Sequence, residues 1–314
     1  MERKKFLIYD RNVESYALKC CADHCAAMAF TASEAAKTLD SVTLILRWLL
    51  DSGADRNSLL IAVGGGTTTD TAGFAASIYK RGIAFGFYPT TLLAMVDASI
   101  GGKTGVNIDG YKNMVGTFTG AEFVRRDISV LGSLPEREWR SGIAEMLKTF
   151  IIGDADSYYK AVSLFSKPVR FDCSQFCEEL DRLVERAVEI KERIVSSDPK
   201  EAGERKKLNL GHSFGHALEW SGAPLAHGEA VAVGIIRAAR ISENKGLCEK
   251  GLAETLTRDF KACGLPTELP EGADEGKLKD AIRKDKKADG KAIDFILPVK
   301  LGEVRTVSLS IDSL

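Results

Sequence analysis

The stretch from Leu59 to Tyr88 constrains the fold most. An apolar run, Leu59 to Val63, breaks into Gly64-Gly65-Gly66; small and apolar residues from Thr71 to Tyr79 then lead through Gly82 to a second apolar run, Ile83 to Tyr88. Strands without polar alternation are buried on both faces. Two of them joined by a glycine turn and a helix make the βαβ unit of a parallel sheet. Residues 5–9 read as another short buried strand, and Val42, Ile45, Leu46, Leu49 and Leu50 fall at helical spacing closed by Ser52-Gly53. Residues 1–130 are therefore expected to form an α/β domain with a mainly parallel sheet.

After Leu131 the texture changes. Ser133-Leu-Pro-Glu136 has capping-box spacing ahead of Ile143, Met146, Leu147, Phe150 and Ile151, which share a helical face. Segments 174–195, 208–220, 228–245 and 277–287 also read as helices, and strand signals return near 293–297 and 304–309. Residues 131–314 are expected to be a second, mostly α-helical domain.

Charge and composition limit the partners. The 314 residues carry 43 Lys and Arg against 44 Asp and Glu, a net charge of -1, so no global basic field awaits nucleic acid or anionic lipid. Any anion must be held locally. The apolar region Gly82 to Gly102 contains Pro89, Thr90, Thr91 and Asp97 and falls short of a membrane span. The apolar run before Asp10 is too short for a secretory signal. The seven cysteines form no CxxC pair and read as reduced thiols. A soluble cytoplasmic protein is expected, with neither nucleic acid nor membrane as partner.

Three of the four histidines lie between 212 and 227, in Asn209-Leu-Gly-His212-Ser-Phe-Gly-His216-Ala-Leu-Glu219 and His227-Gly-Glu229. His212 and His216, four apart on a helix, share a face and could both reach one metal ion with His227. A carboxylate would complete such a site, with Glu145, Glu201, Glu219 and Glu229 as candidates. Helix capping or core hydrogen bonding is the competing reading. The fourth, His24, lies in a Cys-rich helical stretch and has no assigned role.

Gly64-Gly-Gly-Thr-Thr-Thr-Asp70 sits where strand passes to helix, a place whose backbone N–H groups suit a diphosphate; Asp70 could accept from a ribose or nicotinamide group. It departs from the usual G-x-G-x-x-G pattern. Cations recur beside turn-forming residues in Lys80-Arg81-Gly82, Gly101-Gly102-Lys103-Thr104 and Lys112-Asn113, and Lys148, Lys191 and Arg205 join them. Such groups suit a small molecule carrying a phosphate and a carboxylate.

Taken together, these motifs resemble the 3-dehydroquinate synthases, within the sugar-phosphate cyclases. The specific parts are Gly64-Gly-Gly-x3-Asp70, Arg81-Gly82, Pro89-Thr-Thr-Leu-Leu-Ala-Met-Val-Asp97-x-Ser-Ile-Gly-Gly-Lys103-Thr, Lys112-Asn113, Ala144-Glu145-x-x-Lys148, Asn209-x-Gly-His212-x3-His216 and His227-Gly-Glu229. The resemblance implies a Rossmann-like NAD domain joined to a helical metal- and substrate-binding domain, in a homodimer. It implies Glu145, His212 and His227 as ligands of Zn2+ or Co2+. His216, Glu201, Lys148 and Asp97 become catalytic, with Arg81, Lys103, Asn113, Lys191, Arg205, Asn209 and one of Lys286 and Lys287 binding substrate. Arg81 would reach the phosphate in the neighbouring subunit. For NAD it implies Asp10, Glu34, Lys37, Gly64, Gly65, Gly66, Asp70, Thr90, Thr91 and Lys112.

The family reaction turns 3-deoxy-arabino-heptulosonate 7-phosphate into 3-dehydroquinate and phosphate. NAD oxidises the C5 hydroxyl, whose oxygen the metal polarises; phosphate leaves by elimination; NADH returns the hydride; and an intramolecular aldol closes the ring. The glycine turn comes earlier here than the family places it, so a shortened N-terminal region without the early hairpin is expected. The competing functions are another sugar-phosphate cyclase, a metal-dependent polyol dehydrogenase and a non-catalytic paralogue that binds neither zinc nor NAD.

Overall fold

The computed structural model describes residues 3–285 and 292–310, so Lys286 and Lys287 lie outside the described residues. The chain divides into two compact units, residues 1–134 and 135–314.

In the first unit the elements follow as β1 (Lys5–Asp10), α1 (Glu14–Cys20), β2 (Ala26–Phe30), α2 (Leu39–Asp51), β3 (Leu59–Gly64), α3 (Gly66–Ile78), β4 (Ala84–Pro89), β5 (Lys103–Ile108), β6 (Tyr111–Phe118) and β7 (Phe123–Val124). The main sheet has the order β2-β1-β3-β4-β7 and every pairing in it is parallel. The register sets Leu7 beside Ile61 and Ile61 beside Gly86. Phe6, Ile8, Leu60 and Ala62 enter one core while Leu7, Tyr9, Leu59, Ile61 and Val63 enter another. Strand side chains alternate between faces, and both faces are covered, which is why these strands are apolar throughout.

Helix α3 shows no polar stripe because it is buried nearly all round, and it begins at Gly66, five residues before its apolar run. A Cβ on Gly73 would fall 2.6 Å from Thr104 and 3.0 Å from Phe87, so glycine lets α3 lie close on its neighbours. Several expectations need correction. On α2, Val42, Ile45 and Leu49 are buried, but Leu50 is 60% exposed. His24 follows α1 in a turn instead of lying in a helix, and its Nδ1 is 2.6 Å from the Cys21 carbonyl. Residues 26–30 form a strand that short, small-residue composition concealed. Lys103 opens an antiparallel hairpin, β5–β6, whose mostly exposed second strand carries little apolar pattern.

The second unit contains α4 (Glu136–Gly153), α5 (Ala155–Phe165), α6 (Ser174–Ser197), α7 (His212–Trp220), α8 (His227–Asn244), α9 (Leu252–Ala262) and α10 (Glu275–Asp285), then an antiparallel hairpin of β8 (Ile293–Lys300) and β9 (Glu303–Leu309). It is mostly helical, as expected. Pro135, not Ser133, occupies the N-cap of α4, because Ser133 ends a preceding 3-10 turn and its hydroxyl bonds the Val130 carbonyl. The expected helix over 208–220 is broken at Gly211, whose φ of +79° ends one turn and starts another.

Asp154 illustrates how these helices are tied together. It caps α5, accepting from the Ser157 amide at 3.1 Å, and takes a 2.6 Å bond from Arg186 Nε of α6. Burial opposes its charge, but the Ser157 and Arg186 donors outweigh that and hold its carboxyl below the usual range. A depressed folded-state value gives stability that is present above the unfolded value near pH ~3.9 and disappears as pH falls through the folded value. Asp154→Ala should therefore cost about 1–2 kcal/mol in urea unfolding at pH 7. The gap from the parent should narrow below about pH 4.

Candidate functional site

In the first unit, parallel pairing sends the carboxyl ends of β1, β3 and β4 to one edge, so Asp10, Gly64 and Pro89 end side by side. The chain steps outward from β1 to β2 and returns across it to β3, making the β1/β3 crevice a topological switch point, the usual ligand position of such sheets. Gly64, Gly65 and Gly66 turn the chain there, and the Thr90 amide donates to the Gly64 carbonyl at 3.0 Å. Glycine is needed for packing: a Cβ on Gly64 would meet Thr68 Oγ1 at 2.6 Å, and one on Gly65 would meet Thr91 Cγ2 at 2.9 Å. The first amides of α3 have no intrahelical acceptor, and the buried Thr68 hydroxyl has no hydrogen-bond partner. These donors suit a diphosphate.

Beside this turn a polar cluster forms from three separate stretches. The Lys37 ammonium, 6% exposed, donates to Asp70 Oδ2 at 2.5 Å and to Asn113 Oδ1 at 2.6 Å. Glu34 accepts from Asn107 at 2.7 Å and lies 3.9 Å from Lys112. Asp97 sits in a π-helical turn, Ala94–Ala98, preceded by Thr91, whose hydroxyl accepts from the Ala94 amide. Lys103 is exposed, with its ammonium 5.8 Å from the Phe118 ring centre. Arg81 is not brought to this edge. It lies just before β4, at the opposite end of a six-residue strand, on backbone at φ +69°.

In the second unit the histidine motif acquires a geometry. Glu145 and Lys148, one turn apart in the most buried part of α4, are 0% and 1% exposed. Lys148 ion-pairs with Glu145 Oε2, and Glu145 Oε1 lies 3.7 Å from His212 Nε2 and 3.5 Å from His227 Nε2. One ligating atom from each of Glu145, His212 and His227 lies within 4.8 Å of the others. Apart from the Lys148 ion pair, neither Glu145 oxygen has a hydrogen-bond partner, which leaves Oε1 of a fully buried carboxylate open toward the two imidazoles, where a cation would satisfy it. His212 Nδ1 is 3.1 Å from the Leu210 carbonyl and His227 Nδ1 is 3.2 Å from Glu219 Oε1, so each ring is held at Nδ1 and turns Nε2 toward the cluster. The residues fit a divalent cation held by two imidazoles and one carboxylate.

The electrostatics agree with that fit. Burial opposes ionisation of Glu145, but Lys148 and the two imidazoles outweigh it and hold the carboxyl well below its ordinary range. Burial, reinforced by the Lys148 charge, pushes His212 down to about 3, leaving it neutral. Burial would lower His227 as well, but the flanking Glu145 and Glu219 carboxylates raise it to about 10, so without a cation the ring itself carries the positive charge that the two carboxylates attract, and a bound divalent ion would displace its Nε2 proton.

The other candidates sort themselves by contact. The His216 ring centre is 5.3 Å from that of His212 and 6.5 Å from that of His227, beside the cluster and outside the triad. Glu229 caps α8, accepting from the Ala226 amide at 2.8 Å. Glu201, at φ +60°, accepts from Asn209 Nδ2 at 2.6 Å. Lys191 and Arg205 are buried cations, and Arg205 Nη1 donates to the Pro199 carbonyl at 2.8 Å.

Three glycines hold the helices at this spacing. A Cβ on Gly228 would lie 2.4 Å from Ser141 of α4, one on Gly211 would lie 2.7 Å from Val231 O, and one on Gly234 would lie 2.0 Å from Gly211 O. Sequence reasoning saw the glycines flanking His212 and His227 but missed this docking role, which needs to know what lies opposite.

Comparison with known proteins agrees along the chain. The 3-dehydroquinate synthase N-terminal family model matches residues 27–141 and the C-terminal model residues 142–288. The 3-dehydroquinate synthase of Symbiobacterium thermophilum is 40% identical over 311 residues, covering 96% of this chain and 86% of that protein. Among solved structures, 2-epi-5-epi-valiolone synthase from Streptomyces hygroscopicus subsp. jinggangensis, with NAD+ and Zn2+ bound, superposes with a TM-score of 0.89 at 25% identity, covering 99% of this chain and 88% of that one. A 2-deoxy-scyllo-inosose synthase complexed with carbaglucose-6-phosphate, NAD+ and Co2+ superposes at 0.85 with 26% identity and the same coverage. Matched by both family models and by a relative 40% identical over most of its length, and carrying a buried carboxylate–histidine cluster in one unit and a strand–glycine–helix turn in the other, the chain belongs to the 3-dehydroquinate synthase family.

Proposed function

We propose that this chain is a 3-dehydroquinate synthase that converts 3-deoxy-arabino-heptulosonate 7-phosphate to 3-dehydroquinate and phosphate. The observation that carries the reading is the Glu145, His212 and His227 cluster, built on a fully buried carboxylate that is ion-paired with Lys148 and turns Oε1 toward both imidazoles, with His216 beside it. When bound, NAD supplies oxidation and re-reduction at one carbinol carbon, and a Zn2+ or Co2+ ion polarises its oxygen.

The chain's own groups bind, orient and move protons. Glu145, His212 and His227 hold the cation. Lys148 keeps Glu145 ionised and, with His216, Glu201 and Asp97, handles protons at the substrate hydroxyls. Lys191, Arg205 and Asn209, with Lys103, Asn113 and one of Lys286 and Lys287, hold the substrate's anionic groups. The Gly64–Gly66 turn and the α3 N-terminus hold the diphosphate of NAD; Asp10, Glu34, Lys37, Asp70, Thr90, Thr91 and Lys112 orient the rest of it. Arg81 serves a second copy's substrate in a homodimer, supported by its position about 20 Å along the strand direction from the glycine turn. A cytoplasmic location suits this biosynthetic role.

The test is release of inorganic phosphate by purified protein with NAD and Zn2+. The heptulosonate phosphate should yield phosphate with no net NADH, while sedoheptulose 7-phosphate and glucose 6-phosphate yield none. His227→Ala should lose at least about 100-fold in turnover. Phosphate from a non-carboxylate sugar phosphate alone, or net NADH, would replace this reading with another cyclase or a dehydrogenase.

A further inference from the structure

The His227 imidazole lies between two carboxylates. Its Nε2 faces Glu145, whereas its Nδ1 lies 3.2 Å from Glu219 Oε1, and the Glu219 side chain is only 6% exposed. Glu219 belongs to α7, three residues after His216 and seven after His212, so it reaches His227 from the helix that carries the other histidines. His227 is the first residue of α8, joined to α7 by the short segment 221–226. Without a lateral restraint, an imidazole at a helix start could rotate about its side-chain bonds and exchange its two nitrogens.

From this geometry we infer that Glu219 is a positioning residue: it accepts the His227 Nδ1 proton, fixing the tautomer and ring orientation in which Nε2 is a metal ligand. Accepting that hydrogen bond also makes the opposite nitrogen a better donor to a cation, as carboxylate–histidine pairs do at metal centres. Glu219 is too far round the ring to ligate through the same face as Glu145, which removes it from the set of candidate ligands. The Leu210 carbonyl does the corresponding work for His212. The two supports differ, since only Glu219 brings a charge and only Glu219 can be changed by substitution of a side chain.

This inference rests on the metal reading of the triad, and one experiment separates the two. Metal-free protein, Glu219→Gln, Glu219→Ala and His227→Ala are each titrated with Zn2+ against a chromophoric chelator, and with Co2+ followed by its visible absorption. Glu219→Ala should weaken Zn2+ binding by roughly 10–100-fold and alter the Co2+ band. Glu219→Gln, which keeps an acceptor oxygen but loses the charge, should weaken it less. The thermal midpoint of each metal-free variant is recorded alongside, because a merely structural Glu219 would lower that midpoint and leave metal affinity alone. Unchanged affinity in both Glu219 variants, with affinity lost in His227→Ala, overturns the positioning role only. Unchanged affinity in His227→Ala overturns the triad itself.

Discussion

Glu145→Gln should abolish metal binding and lower phosphate release by about three orders of magnitude or more, equivalent to about 4 kcal/mol of barrier. The same substitution should destabilise the metal-free protein, because Lys148 is 1% exposed and ion-paired with this carboxylate. Removing one partner of a buried pair strands the other charge, typically at a cost of about 3–5 kcal/mol, partly relieved if the lysine gives up its proton. The two effects separate in the double variant Glu145→Gln, Lys148→Met. Stability in urea should recover toward the parent, since neither member of the pair is left as a stranded charge, while metal content stays at zero. A single variant that keeps parental metal content and turnover would refute the ligand role of Glu145 in one measurement.

Gly234→Ala should destabilise the second unit by about 3 kcal/mol or more, an effect whose sign is informative. Helix propensity alone favours alanine over glycine by about 1 kcal/mol in a helix interior. Gly234 lies well inside α8, yet the added Cβ would fall 2.0 Å from the Gly211 carbonyl oxygen. Backbone cannot yield as a flexible side chain does, so α7 and α8 would have to part. Because His212 follows Gly211 directly, Zn2+ affinity should fall with stability. Gly120→Ala, where a Cβ meets nothing within 4 Å, serves as the control and should stay within about 0.5 kcal/mol of the parent. Stabilisation by Gly234→Ala would mean that the helices are not in this contact.

Much of this was legible in advance for identifiable reasons. The apolar runs at residues 5–9, 59–63 and 83–88 announced strands because burial on both faces leaves no room for alternation. The texture change after Leu131 announced helices because buried faces repeat every three to four residues. Residues 26–30 and 103–118 escaped notice because small residues and an exposed strand carry little hydrophobic signal. The capping motif at Ser133 misled because the spacing of a cap does not reveal whether a 3-10 turn already uses that serine.

The candidate site divides along the same line. Residue types and spacing determined that three histidines share one stretch, that a strand–glycine–helix turn exists, and which family these motifs belong to. Spacing left four carboxylates open as the third metal partner. The family resemblance pointed to Glu145, and tertiary structure supplies the physical basis: it buries Glu145 against two imidazoles, spends Glu229 on a helix cap, pairs Glu201 with Asn209 and sets Glu219 behind His227. The physical reason is that ligation depends on distances of a few ångströms between α4, α7 and α8. Those distances are set by what lies opposite Gly211, Gly228 and Gly234, information that is spread over residues far apart in the chain.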